Sequence, residues 1–140
     1  EICDVLEGRI EALAASGISR QRIIVDPGIG FAKEASQNIE ILAGLRKLCD
    51  LGRPVLFGAS RKFFLGKLIG DPDGRGRDPA QRDVATVAAN VIAVMRGASV
   101  LRVHNVPYTR DLLDVVEALR LEAPEGIGAD ALQGSGGGGS

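Results

Sequence analysis

The sequence is poor in the residues that metal and redox chemistry usually draw on. It carries one histidine, His104, and two cysteines, Cys3 and Cys49, in 140 residues. The cysteines stand far apart and form no CxxC pair, so a zinc site built from Cys and His alone is excluded. They read as free thiols of a reducing compartment, the cytoplasm, rather than as a disulfide. Neither sign of charge dominates: the formal net charge is -1, which leaves no strong field to draw nucleic acid or an anionic membrane. A long hydrophobic run is also missing. The longest candidate, VATVAANVIAVM from Val84 to Met95, falls short of the ~20 residues a bilayer needs. The opening EICDVLEGRIEAL is acidic and amphipathic and does not read as a signal peptide.

What is present is ordinary for a globular chain, with 45% hydrophobic and 25% charged residues, enough for one compact domain. The end is different. GSGGGGS at Gly134–Ser140 has the composition of an engineered flexible linker. Residues 1–124 are therefore read as the folded part and 125–140 as a tail that ends in that linker.

Three short runs rich in β-branched residues read as buried strands: Arg22–Gly28, Pro54–Ser60 and Ser99–Val106. Helical spacing surrounds them. Leu6, Ile10 and Leu13 repeat in the first helix, which Gly17 closes. Ile41 or Leu42, Leu45 and Leu48 repeat in the second, with Ser36 or Asn38 as cap. Val84, Val87, Val91 and Met95 form a third stripe, begun by Asp78, Pro79 and Gln81 and closed by Gly97. Leu112, Val115, Val116 and Leu119 form the fourth. The segment Asp71–Asp78, DPDGRGRD, reads as a mobile loop.

The order α-β-α-β-α-β-α predicts an α/β fold with a parallel sheet covered by helices. Three such strands alone would expose both sheet edges. The expectation is thus a C-terminal portion of a (β/α)8 TIM-type barrel, whose full size is about 250 residues. A small doubly wound domain is the weaker alternative.

In such folds chemistry gathers at the C-terminal ends of the strands. The first run ends in DPGIGFAK, where Asp26 is either a turn residue or a ligand-facing carboxylate. Gly28 and Gly30 let the backbone turn tightly or approach a ligand. Lys33 stands where a dinucleotide fingerprint needs its third glycine, which rules that fingerprint out. The second run ends in GASRKFFLGK. Gly58 leaves room for something flat, and Arg61 and Lys62 oppose a helix macrodipole unless an anion compensates. The bland reading is two solvated cations. In the third, Arg102 and His104 alternate with Leu101 and Val103, on one strand face about 6.6 Å apart. They are either a structural ion pair and a core imidazole, or an anion site suited to phosphate.

DPGIGFAK, GASRKFFLG and LRVHNV, in that order and spacing, closely resemble the C-terminal half of the dihydropteroate synthase family, over about Arg9 to Ala123. The resemblance implies a cytoplasmic transferase of folate biosynthesis. It condenses 6-hydroxymethyl-7,8-dihydropterin diphosphate with p-aminobenzoate, giving dihydropteroate and pyrophosphate, and is the target of sulfonamides. It implies Asp26, Gly58, Lys62 and Arg102 around the pterin, and Phe31, Ser60 and Lys62 around p-aminobenzoate. Arg102 and His104 would hold the diphosphate, with Lys62, Arg102 and His104 the catalytic set. Mg²⁺ is implied as cofactor, with its ligand in the N-terminal barrel half and none in this chain. The parent would be a homodimer. This chain alone is expected to be inactive, to await that N-terminal half, or to self-associate. Two other readings remain. A pterin-dependent methyltransferase shares the barrel but has no diphosphate to hold, and an engineered half-barrel scaffold would have no activity.

Overall fold

A computed structural model of the chain describes residues 1–70 and 77–122, without the side chains of 120–122. Residues 71–76 of the expected loop and residues 123–140, with the linker, lie outside the described residues.

The first helix, α1 (Ile2–Ala15), begins with the terminal ammonium of Glu1 paired to Asp4 and ends at Ser16, followed by Gly17 at φ 92°. Gly17 therefore closes it as expected, in the left-handed conformation that glycine tolerates. Of its stripe, Ile10 is buried, Leu6 packs at the core margin and Leu13 is exposed.

The second expected helix divides at Gly44 into α2 (Ala35–Ala43) and α3 (Leu45–Cys49). Its start also differs from the expected cap at Ser36 or Asn38. Glu34 occupies the cap position, and the Gln37 side chain accepts the Glu34 N–H at 2.8 Å, the return half of a capping box. Asn38 is buried instead, for a reason that lies in the loop before it.

The strands form where the runs predict but are shorter. Val25 makes a single parallel bridge to Val55. Beyond it, β1 (Leu56–Phe57) pairs in parallel with β2 (Val100–Leu101), Leu56 opposite Val100 and Phe57 opposite Leu101. Spatial order follows chain order, as in successive βα units. Among the described residues the outer two runs each pair on one side only. Phe57, Val55, Leu45 and Ile29 are the largest apolar side chains fully enclosed in the core.

A short helix, α4 (Phe63–Ile69), follows β1 and was not counted in the expected order. A 3-10 turn (Pro79–Arg82) then leads into α5 (Asp83–Met95). Asp78 starts that turn, and its N–H is accepted by Gln81 at 3.0 Å. The stripe on α5 needs correction. Val84 is 80% exposed and Met95 also lies outside, while Ala85, Thr86, Ala89, Asn90 and Ala93 are buried. The helix is apolar on several faces, so periodicity alone could not choose. The small face is the one that joins the core, with Ala85, Ala89 and Ala93 in the same cluster as Val55 and Phe57. The last helix, α6 (Val106–Glu122), buries Leu112 and Val116 and exposes Val115 and Leu119.

Asn90, 1% exposed, has neither amide atom hydrogen-bonded among the described residues. An unpaired buried amide costs about 1–3 kcal/mol. Asn90→Leu is expected to raise the urea midpoint at an unchanged slope; a lowered midpoint would show that the amide has a partner after all.

Candidate functional site at the strand ends

Asp26 directly follows the bridged Val25, and its Oδ1 accepts the Gly28 N–H at 2.8 Å. It is thus a turn residue, with its second carboxylate oxygen left toward solvent. The loop behind it is pinned from two sides. Asn38 Oδ1 accepts the Gly30 N–H at 2.7 Å, and Lys33 Nζ donates to the carbonyls of Gly28 at 2.9 Å and Phe31 at 3.2 Å. Pinning leaves the Phe31 ring 56% exposed, with Lys62 Nζ above it, 3.7 Å from the centroid. That is close enough for a cation–π contact.

Gly30 allows this stack. Its φ is 76°, and a Cβ there would stand 2.7 Å from Lys62 Cδ. Lys62 is half-buried, and its pKa is lowered, first by lost solvation and then by the neighbouring Arg102 cation; the Asp26 carboxylate acts the other way. Asp26, Phe31, Lys62 and Arg102 therefore share one neighbourhood.

Gly58 does leave room for something flat, but its occupant is a protein group. A Cβ there would lie 3.1 Å from Arg102 Nε and 3.2 Å from its Nη2. Arg102 is exposed; its backbone N–H donates to the Phe57 carbonyl at 3.0 Å, while its guanidinium has no hydrogen bond or ion pair among the described residues. The expectation of Arg102 and His104 on one strand among buried neighbours is corrected: β2 ends at Leu101, both residues are exposed, and Leu101 and Val103 are half-buried. Their placement instead tracks the neighbouring segment. Arg102 lies over Gly58, and His104 sits over Ser60, whose Oγ meets the imidazole Nδ1 at 2.9 Å and the His104 N–H at 3.1 Å. Ser60 is 6% exposed.

The two cations that close the second strand also part company. Arg61 does not face the cluster: its Nε and Nη2 fork onto the Asp83 carboxylate at 2.7 and 3.0 Å. That bond holds the Asp83 carboxyl below its ordinary 3.8, with help from Asn105. A carboxylate whose pKa is depressed by folding adds stability above its unfolded pKa and loses it as pH falls through the folded value. Asp83→Asn should therefore flatten the decline in stability below about pH 4, read from urea midpoints at several pH values. An unchanged acid limb would show that other carboxylates set it.

The sequence profile of pterin binding enzymes matches residues 1–104. The chain belongs to the pterin binding enzyme family. It is 41% identical over 120 residues to the dihydropteroate synthase of Streptococcus pyogenes serotype M6, covering 85% of this chain and 43% of that protein. Two solved structures of Xanthomonas albilineans dihydropteroate synthase, one with 7,8-dihydropteroate and one with 4-aminobenzoic acid, match at 43% identity and TM-score 0.80. They cover 88% of this chain, and 46% and 43% of theirs. The expected resemblance and the partial barrel both stand, and the chain spans less than half the length of these relatives.

Within this pterin binding enzyme segment, the structure brings Asp26, Phe31, Gly58, Lys62 and Arg102 together, with Ser60 and His104 joined beside them. Sequence reasoning missed the role of Asn38, which it offers only as an alternative to Ser36 for the helix cap, and of Lys33, which it reads only as displacing a glycine. It also missed Asp83 and Asn105. A lysine and an amide flanking a glycine turn were signals available for the first two. None of the helices among the described residues is long and apolar enough to cross a membrane.

Proposed function

We propose that a complete barrel carrying this chain condenses 6-hydroxymethyl-7,8-dihydropterin diphosphate with p-aminobenzoate to form dihydropteroate and pyrophosphate. The observation that carries this reading is Lys62, held on Phe31 at 3.7 Å with Arg102 and Asp26 near enough to shift its charge equilibrium. One cation thus stands where a flat apolar surface, an anion-seeking guanidinium and a carboxylate converge.

In the proposed reaction the amine nitrogen attacks the pterin methylene carbon. The C–O bond to the diphosphate breaks, pyrophosphate leaves with the bonding pair, and the amine proton passes to solvent. Asp26 accepts hydrogen bonds from the pterin's amino-pyrimidine edge through the oxygen not used by Gly28. Arg102, over Gly58, flanks the ring and reaches the diphosphate with His104. Charge that grows on the leaving oxygen is met by preorganised cations, the usual source of rate in such sites. Lys62 and Phe31 border p-aminobenzoate, which needs chiefly to be positioned. Ser60 is buried and bonded to His104, so its part in this proposal is to orient the imidazole rather than to touch p-aminobenzoate.

Mg²⁺ comes with the family resemblance. The described residues do not fit a resident ion: no three His, Cys, Asp or Glu side chains cluster to hold a metal, and the strand ends facing the diphosphate carry cations. No step here uses it, and its ligands belong to barrel segments outside this chain. We place the protein in the cytoplasm because Cys3 and Cys49 are both free thiols.

Dihydropteroate formation by a complete barrel, lost on Lys62→Ala, tests the reading; a barrel that folds and makes none would overturn it. The isolated chain is expected to be inactive and to self-associate at micromolar concentration, because Ile24 and Val100 of its strand runs are exposed. Sedimentation showing a cooperative, monodisperse monomer would contradict this.

A further inference from the structure

We infer that Asp83 is a positioning residue: its carboxylate ties together the ends of the second and third strand segments and so sets where Lys62 and His104 stand. The inference rests on the site proposed above and adds a residue that belongs to none of its motifs.

The case begins with backbone. Arg61, between Ser60 and Lys62, has φ 58°, a left-handed conformation that side chains other than glycine rarely adopt. Something must hold it there. Arg61 N–H donates to Thr86 Oγ1 at 3.0 Å, its carbonyl accepts Arg82 Nη1 at 2.8 Å, and its guanidinium forks onto Asp83. All three anchors lie on the Pro79–Arg82 turn and the first turn of α5. The reversal at Arg61 is what separates its own side chain, turned to α5, from that of Lys62, turned to Phe31.

Asp83 also reaches the third segment. Its Oδ2 accepts Asn105 Nδ2 at 3.1 Å, while Asn105 Oδ1 accepts the Tyr108 N–H at 3.1 Å and so fixes which way the amide faces. Asn105 directly follows His104, whose ring and N–H both meet Ser60 Oγ. One carboxylate therefore sits one residue away from Ser60, from Lys62 and from His104. It is largely shielded, with 14% of its side chain exposed, so water competes weakly for these bonds.

The experiment compares a complete barrel with its Asp83→Asn and Asn105→Ala variants. Asn at 83 keeps the size but turns one acceptor into a donor, which opposes both the guanidinium and the Asn105 amide. His104 is the only histidine of this chain, so selective labelling within it lets NMR read that imidazole without any ligand. Both variants are expected to move the imidazole signals. Asp83→Asn should also raise KM for the pterin diphosphate at least tenfold, well below its melting temperature. A lower melting temperature with unchanged signals and unchanged KM would overturn the inference, leaving Asp83 a stabilising ion pair only. Should Asp83→Asn fail to fold, unmoved imidazole signals in Asn105→Ala overturn it as well. If the signals move as expected but the unsubstituted barrel does not bind the pterin diphosphate, the positioning of His104 stands and the proposed function falls.

Discussion

Asp26→Asn is expected to weaken pterin binding by a complete barrel about 10- to 100-fold, the equivalent of a charge-assisted hydrogen bond of roughly 1.5–3 kcal/mol. The substitution is clean because of the turn. Asp26 Oδ1 accepts the Gly28 N–H, and an asparagine carbonyl accepts it equally well, so the loop that carries Phe31 keeps its shape. What disappears is the negative charge on the other oxygen, the one facing the proposed ring. Calorimetry with a pterin analogue reads the difference. Equal affinity in the two proteins would leave Asp26 with its turn role alone.

Arg102→Ala should remove most of the pyrophosphate affinity of the same barrel, on the order of 100-fold. The Arg102 guanidinium has no hydrogen bond or ion pair among the described residues and rests over the open backbone of Gly58, so its donors are available to an anion in the bidentate geometry that suits phosphate. His104 contributes differently. Its imidazole is already engaged by Ser60 Oγ at 2.9 Å, so His104→Ala should cost less of that affinity than Arg102→Ala. Pyrophosphate titrations of both variants decide it. If both bind like the parent, the two residues are structural.

The sheet order, the helical segments and the three chemistry-bearing strand ends were legible because each rests on local chemistry. β-branched runs make strands, Asp-Pro-Gly makes a turn, and Asp78 with Gln81 starts a helical segment. The breaks were less legible. Gly44 divides a helix whose apolar spacing runs straight through it, and α5 hides its packing face among several apolar ones. In the site, Asp26 and Arg102 were readable from type and position. The meaning of Gly58 was not, since the flat group it admits comes from a residue 44 positions away in sequence.

The class of chemistry follows from residue type and order alone: cations and one carboxylate at the ends of parallel strands, in three motifs whose combination is specific to a family. What the fold adds is the reason two adjacent cations part company. Arg61 and Lys62 are equivalent in a linear reading. The left-handed turn at Arg61, gripped by Thr86, Arg82 and Asp83 from a helix more than twenty residues later, sends one toward α5 and the other over Phe31. That choice depends on long-range hydrogen bonds, which no local pattern encodes.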